Sequence, residues 1–534
     1  MTAFGLACLS SCSDFFDHPL TNAVSDDNIS EVILNNPSSL ESFLANGYRT
    51  LGGINLYGRH IQYATAVMSH EMDLDYIAEE ARNQYSQNSL TSVNSIVLLQ
   101  YSEYYKILTT LNTLDDLISH LDLSKFTDVQ VRSITNLKGE MHFLRAYCHF
   151  ELLCLFGEKG PHFGGDYPNN RDAQGITLAM QLTTAETAYA SRSTVGECYQ
   201  AILDDLEEAE RHIGNNQIPA NNVIRGGNDD TDYTSNIGWA QLPAVRALRG
   251  KVYLYMSDYE KARTEFEAIL SDGRFKLDKP VNFTDYIQHA DNNAESIFAL
   301  QFYYYTGPAD SYSGAPNHQV ARIFGNVPGA WMNYFIDARN PLRFGDDPRL
   351  YEATLYDYTW DNSNWATWQR GSWTQLDVTA PGFRCFPRKM VDFYNSSNPG
   401  TGNTKNLERI RLGDVYLMYA EVQLKLGNTA VATEYVNKVR RRAWDEADYN
   451  ALGTKGEDFA TVTMELLQEE RFKEFFFENH RWFDMCRWGI IAQELAKYPR
   501  TMAGDVHYDD NDYYLPIPER ELRTNPNLSQ SWGY

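Results

Sequence analysis

IRLGDVYLMYAEVQLKLGNTAVATEYVNKVRRR, residues 410–442, reads as two amphipathic helices joined at Gly427-Asn428-Thr429. Small or apolar residues recur where two helices must approach closely. Ala420, Gly427, Ala432 and Val436 fall on the close-packing positions of a tetratricopeptide-type helical pair. Such pairs bury their apolar faces only when stacked, so one pair predicts others in the same chain.

A second pair lies upstream. Leu242, Val245, Leu248, Val252 and Tyr255 mark one helix face. Ser257-Asp258 ends that helix and a partner follows; Gly250, Tyr253, Ala262 and Phe266 take the same packing positions. Leu137, Met141, Leu144, Cys148, Leu152 and Leu155 step by three or four along a further helix. Tyr199, Ile202, Leu206, Ala209 and Ile213 do so behind a cap at Ser193-Thr194. The fold class predicted is mainly α: a tetratricopeptide-like helical-repeat scaffold, an α-α superhelix, with long loop-rich insertions and a few short strands. Residues 12–278 form its N-terminal helical-repeat part. Residues 279–405 form a loop-rich aromatic insertion, and residues 406–534 return to the same body. In the insertion only residues 295–302, ESIFALQF, read as a strand.

The chain has 534 residues, 46 basic against 71 acidic, for a net charge of -25. That field repels phosphate backbones and argues against a nucleic-acid partner. No apolar run is long enough to span a bilayer. Residues 1–11 are small and apolar, and Leu9-Ser10-Ser11-Cys12 matches a bacterial lipobox. Residues 1–11 are therefore expected to be a signal peptide, with Cys12 the lipidated residue and the lipid the only contact with the membrane. A basic segment before the apolar stretch is missing, which sets the expected translation start upstream. The remaining five cysteines are scattered, with no zinc spacing and no disulfide framework. Cys148 and Cys154 read as small core residues.

Catalytic and cofactor motifs are lacking. His70-Glu71 has no second histidine at zincin spacing, and no Walker A, dinucleotide fingerprint or G-x-S-x-G elbow occurs. No metal site and no cofactor is predicted. The acidic loops at 228–232 and 509–512 offer at most an adventitious calcium ion. Glu470, Arg471, Glu474, Glu478, Arg481, Asp484 and Arg487 recur at three- and four-residue steps. Two of these carboxylates could in principle serve a glycosidase. Interleaved Phe475, Phe476, Phe477, Trp482 and Phe483 favour instead a buried ion network between helices. No catalytic residue is assigned.

Rings are abundant in the insertion. Tyr303, Tyr304 and Tyr305 close the strand-like run, and Trp331 and Tyr334 follow a Gly-Pro-rich loop. Trp360, Trp365, Trp368 and Trp373 are four of the chain's ten tryptophans. Exposed aromatic planes cover the apolar faces of sugar rings, while Asn, Asp, Arg and Gln bond the hydroxyls. If the strand continues, Tyr303 and Tyr304 point to opposite sides.

Several segments together resemble one family, the SusD/RagB nutrient-binding proteins. They are Gly139-Glu140 with Phe143-Leu144-Arg145-Ala146, Phe156-Gly157 with Pro161, and residues 192–207. Asp347-Pro348-Arg349, the charged series ending Arg487-Trp488-Gly489, Pro516-Ile517-Pro518 and the terminal Gln530-Ser531-Trp532-Gly533-Tyr534 continue in the same order. Met141 replaces an alanine of the pattern, and Ser531 and Trp532 depart from its last segment. The resemblance implies a lipid-anchored, non-enzymatic outer-membrane protein at the cell surface. It would bind an oligosaccharide, or a peptide or glycoprotein in some relatives, for a SusC-type TonB-dependent transporter. It also favours Trp331 as the main ligand contact and implies a second contact loop at Asn83 and Tyr85. The competing readings are a helical glycoside hydrolase and a peptide-binding repeat adaptor.

Overall fold

The computed structural model describes residues 31–33, 38–74, 79–165, 167–213, 238–277, 292–302, 334–336, 339–345, 347–350, 354–355, 386–387, 389, 405–443, 458–497 and 508–534. Helices α1 (Ser38–Leu51), α2 (His60–Met68), α3 (Glu80–Gln87), α4 (Ser95–Ser119), α5 (Asp128–Phe156) and α6 (Val195–Ile213) form the first half. Then come α7 (Leu242–Tyr255), α8 (Tyr259–Leu270) and α9 (Arg339–Phe344). The last group is α10 (Leu412–Lys425), α11 (Thr429–Ala443), α12 (Met464–Glu474), α13 (Arg481–Trp488), α14 (Ile491–Lys497) and α15 (Glu519–Thr524). Six short strands complete the order: β1 (Met72–Leu74), β2 (Ser296–Leu300), β3 (Tyr334–Ile336), β4 (Thr354–Leu355), β5 (Phe386–Pro387) and β6 (Leu407–Arg411). The fold is mainly helical, as predicted.

The α10–α11 turn shows why residues 410–442 decide the architecture. Asn428 N donates to Gln423 O at 2.8 Å and Gly427 N to Leu424 O at 3.1 Å, the two bonds of a Schellman cap. Gly427 takes φ +82°, and a Cβ there would meet nothing within 4 Å. Its requirement is therefore conformational. Gly427→Ala is expected to cost about 1 kcal/mol, read as a lower urea midpoint at unchanged slope. The α7–α8 turn repeats this cap with Ser257 at φ +60°; Asp258 N donates to Tyr253 O at 2.9 Å. Gly250 serves a different need: a Cβ there would lie 2.6 Å from the Phe266 ring. Its absence lets α7 and α8 close.

Helix α5 is the axis of the body. Thr127 and Gln130 form a capping box at its start, and its 29 residues span about 43 Å. Thr194 and Glu197 form a second capping box ahead of α6. The predicted α5 stripe is buried, but so is nearly everything else from Ser133 to Phe156. Its charged residues are buried because partners meet them. Arg145 donates to Asp205 of α6 at 2.7 and 2.9 Å and to Asn112 of α4 at 2.9 Å. Glu151 accepts from Tyr57. Helix α6 packs on α7, and α8 packs on α10, where Tyr419 donates to Glu267 at 3.0 Å. The stack thus passes from α8 to α10 across a long sequence insertion.

That insertion is gathered at a neck. β2 and β6 pair antiparallel, from Ser296 opposite Arg411 to Leu300 opposite Leu407. Asn406 Oδ1 accepts from Phe302 N at 2.9 Å, which closes the end of the ladder. Under the neck lies the charged series, buried and paired as predicted. Arg349 binds Asp347 at 2.8 Å, Glu470 at 2.8 Å and Glu474 at 3.0 Å. Arg411 reaches Glu474 at 2.7 Å and Glu478 at 2.8 Å. Arg442 of α11 pairs with both Glu295 and Glu474. Arg471 joins Asp414 at 2.9 Å to Asp484 at 2.8 Å, and Arg487 closes on Glu421 at 2.7 Å. Burial raises the pKa of Glu478, but Arg411 and Lys389 more than reverse this and bring it to about 2.

Candidate ligand-binding site

The candidate contact segments are reached from a two-stranded ribbon. β1 and β3 run antiparallel, with Leu74 opposite Tyr334 and Met72 opposite Ile336. The chain after Leu74 and the chain before Tyr334 therefore start from neighbouring points. Asn83 and Tyr85 follow the first of these points in the chain, and Trp331 precedes the second.

Buried polar groups fix the base of this ribbon. Asn340 Nδ2 donates to His70 O at 2.8 Å and to Glu71 O at 3.0 Å. Glu71 Oε1 accepts from Phe477 N at 3.0 Å, and Glu71 Oε2 from the Ser69 hydroxyl at 3.0 Å. Phe477 and Asn479 both sit at φ +65°, unusual for residues with a side chain. Asn479 Nδ2 reaches Thr65 Oγ1 of α2 at 2.6 Å. The α12–α13 connection, α2 and the ribbon are thus one hydrogen-bonded unit. Burial raises the pKa of Glu71 to about 7, against the hydrogen bonds from Phe477 and Ser69.

Two sequence candidates are corrected here. Tyr85 is 1% exposed, donates to Gln100 Oε1 at 2.9 Å and packs edge-on against Tyr63. Its ring has no free face for a sugar. Asn83 is buried beside it on α3. Asn94 holds α3 down by donating to Ala81 O and Gln84 Oε1, both at 2.9 Å. Tyr334 contributes backbone to β3, and its side chain lies outside the described residues, as do Trp331, Tyr303, Tyr304, Tyr305, Trp360, Trp365, Trp368 and Cys12.

A cavity of about 50 Å³ lies between Leu153, Cys154, Lys159, Tyr199, Tyr255 and Arg487. Ligand pockets are several times larger, and this volume suits ordered water. Among the described residues two exposed Tyr and Trp rings lie outside the nominated segments, Tyr189 at 52% and Trp532. Trp532 is 43% exposed and stacks on His162 with centroids 3.6 Å apart. The carboxylates of the charged series are unavailable for hydrolysis, since Glu470, Glu474, Glu478 and Asp484 are each buried against arginine.

The scattered signature segments converge in space. Arg192 donates to Gly175 O at 2.9 Å, Phe156 O at 3.1 Å and Ser531 Oγ at 3.0 Å. Gln530 and Ile517 exchange two bonds, each 2.8 Å. These residues hold the fold.

A family model described as "SusD family" matches residues 337–534, and one described as "Starch-binding associating with outer membrane" matches residues 23–221. SusD-like protein P38 of Formosa agariphila is 22% identical over 484 residues, 84% of this chain and 82% of that protein. A SusD homolog from Bacteroides thetaiotaomicron superposes with a TM-score of 0.73 at 19% identity, covering 94% of this chain and 97% of the other. Surface glycan-binding protein A from Bacteroides fluxus gives a TM-score of 0.69 at 21% identity, covering 93% and 99%. Two matched models at the two ends of the chain, a relative matched over four-fifths of its length and a shared fold lead to one assignment: the chain belongs to the SusD/RagB family.

Proposed function

We propose that this protein is a lipid-anchored outer-membrane protein that captures an oligosaccharide at the cell surface and passes it to a SusC-type TonB-dependent transporter. The family assignment carries this reading, because the matched models are those of SusD proteins and of starch-binding proteins that associate with the outer membrane. The glycan-binding name of the Bacteroides fluxus protein supports the cargo class. Binding without bond cleavage agrees with the pairing of the late carboxylates to buried arginines. Attachment would come from lipid on Cys12. No helix among the described residues is long and apolar enough to cross a membrane.

Recognition would use exposed rings against the sugar faces, with Trp331 the principal contact, Tyr303 to Tyr305 and Tyr334 beside it, and Trp360 to Trp368 as a second group. Affinity electrophoresis of the chain from Ser13 onward, through gels holding individual polysaccharides, tests this. One glycan should retard the protein. Trp331→Ala should weaken that binding roughly 30-fold, the effect of losing a binding hot spot of about 2 kcal/mol. Undiminished binding by a folded variant would reject Trp331 and direct attention to Trp360–Trp368 or Trp532. Retardation by no glycan, with binding of peptides instead, would overturn the cargo class.

A further inference from the structure

We infer that His142, Glu208 and His212 form a binding site for a divalent transition-metal ion of the zinc type, pinning the end of α6 to α5. Each of the three residues offers one donor atom, and these atoms all lie within 4.8 Å of one another.

Close approach of the helices creates the cluster. Gly139 of α5 has no side chain, and a Cβ there would lie 2.7 Å from Ile213 Cγ1 and 3.0 Å from His212 Cβ. One turn further along α5, the His142 ring stacks on that of His212, with centroids 5.9 Å apart and planes within 9°. Glu208 and His212 are four residues apart on α6, so both project to the same side. Glu208 Oε2 lies 3.4 Å from His212 Nε2.

The hydrogen bonding of His142 points to an ion. Its Nδ1 lies 2.8 Å from Asp205 Oδ1, and Arg145 fixes both oxygens of that carboxylate. A carboxylate only accepts, so Nδ1 carries the proton, and in the neutral ring Nε2 is left with its lone pair. Arg145 Nη2 is farther from Nδ1, at 3.3 Å, and donates to Asp205 at 2.7 Å instead. Nε2 itself has no hydrogen-bond partner, although His142 is only 6% exposed. An unpartnered lone pair on a buried imidazole, with a carboxylate on the opposite nitrogen, is the arrangement that surrounds metal-bound histidine.

The donor set selects the metal. Two imidazoles and one carboxylate suit zinc, and they suit calcium or magnesium poorly. A tetrahedral zinc site has donors roughly 3.3 Å apart, so the three side chains need only turn inward slightly. Glu208 also pairs with Arg211, an exposed side chain free to swing away. Glu208 and His212 remain about one-quarter to one-third exposed, which leaves an entry path and an open position for water.

The test uses untagged, chelator-treated protein titrated with zinc chloride in a calorimeter and with Co²⁺ followed by visible absorption. One equivalent should bind at micromolar concentration or tighter, raise the melting temperature and give the intense spectrum of four-coordinate Co²⁺. Excess Ca²⁺ should not compete. Glu208 and His212 sit on the partly exposed flank of α6. Glu208→Gln and His212→Gln should each weaken binding by at least the roughly ten- to hundredfold typical of losing a group that merely hydrogen-bonds to a ligand, while leaving the metal-free melting temperature unchanged. Equal binding by wild type and both variants would overturn the assignment, because the ion would then sit on others of the chain's 12 histidines. Lack of any saturable binding by wild type would overturn it as well.

Discussion

Glu474→Ala is expected to cost about 3–5 kcal/mol of folding stability, the range for removing one partner from a buried ion pair. The carboxylate has no solvent exposure and touches Arg349 at 3.0 Å, Arg411 at 2.7 Å and Arg442. Burial favours its neutral form, yet Arg442, Arg411, Arg349 and Lys389 together hold its pKa well below the ordinary value. Its contribution is therefore fully present above the pKa of the unfolded chain and is lost as pH falls toward the folded value. Truncation leaves three buried guanidinium groups short of an acceptor and opens a void, whereas Glu474→Gln keeps the volume and some hydrogen bonds. The expected order is wild type, Gln, then Ala, measured by urea unfolding at neutral pH. A cost under about 1 kcal/mol for Ala would mean the cluster behaves as a set of surface pairs. The consequence reaches beyond α12. Glu474 joins β6 through Arg411, α11 through Arg442 and the 347–349 turn through Arg349, and its carbonyl accepts from Lys389 of the insertion at 2.7 Å. Glu474 thus connects the helical stack to the β6 side of the neck and to the insertion itself.

The legible parts of this fold were those decided by neighbours in sequence. Gly427 and the small residues around it encode a turn and a close approach, which local chemistry alone dictates. The charged series was legible as a network because phenylalanines interrupt it, and apolar neighbours are incompatible with a solvated face. Helix α5 was read only in part. Glu140, Arg145 and Glu151 look like the marks of an exposed side, but Asp205 and Tyr57, distant in sequence, meet two of them. Tyr85 was misplaced for the same reason, since Gln100 lies on another helix. Of the metal cluster, only the four-residue step from Glu208 to His212 is local; His142 arrives from 66 residues away, counted from Glu208.

The family was easier to read than the ligand, and the structure gives a physical reason. The motifs that carry the resemblance include Arg145 with Asp205, Arg192 with Phe156 and Ser531, and Arg349 with Glu470 and Glu474. Each joins elements far apart in the chain, so each constrains the fold whatever is bound. Trp331, Tyr334 and the 303–305 tyrosines fall in residues 222–336, between the two matched family segments. Trp360, Trp365 and Trp368, the second nominated group, lie instead inside the matched segment 337–534, so only the first group is separate from it.

The pH dependence of stability should isolate Glu71, whose pKa is raised from the ordinary 4.5 to about 7, first by burial. Phe477 N, the Ser69 hydroxyl, Arg481 and Lys389 oppose this shift without cancelling it. Between these two values the folded protein keeps a proton that the unfolded chain has released, so stability falls as pH rises. Below 4.5 both states are protonated and the contribution is complete; above 7 it has been lost. A shift from 4.5 to about 7 corresponds to about 3 kcal/mol at full extent. Glu71→Gln stays neutral, and its amide can replace the protonated acid, with the oxygen still accepting from Phe477. Stability of the variant minus that of wild type should therefore grow by about 3 kcal/mol from pH 4.5 to 7.5 and then level off. The difference is the informative quantity, because Glu474 and Glu478 titrate alike in both proteins and drop out of it. A difference that stays flat across this range would show that Glu71 is solvated or paired as an anion. A difference that grows would mean that the base of the β1–β3 ribbon, beside the candidate ligand segments, is held more firmly in mild acid than at neutral pH. Glycan affinity measured at the two ends of the range would then reveal whether that firmness is transmitted to the binding rings.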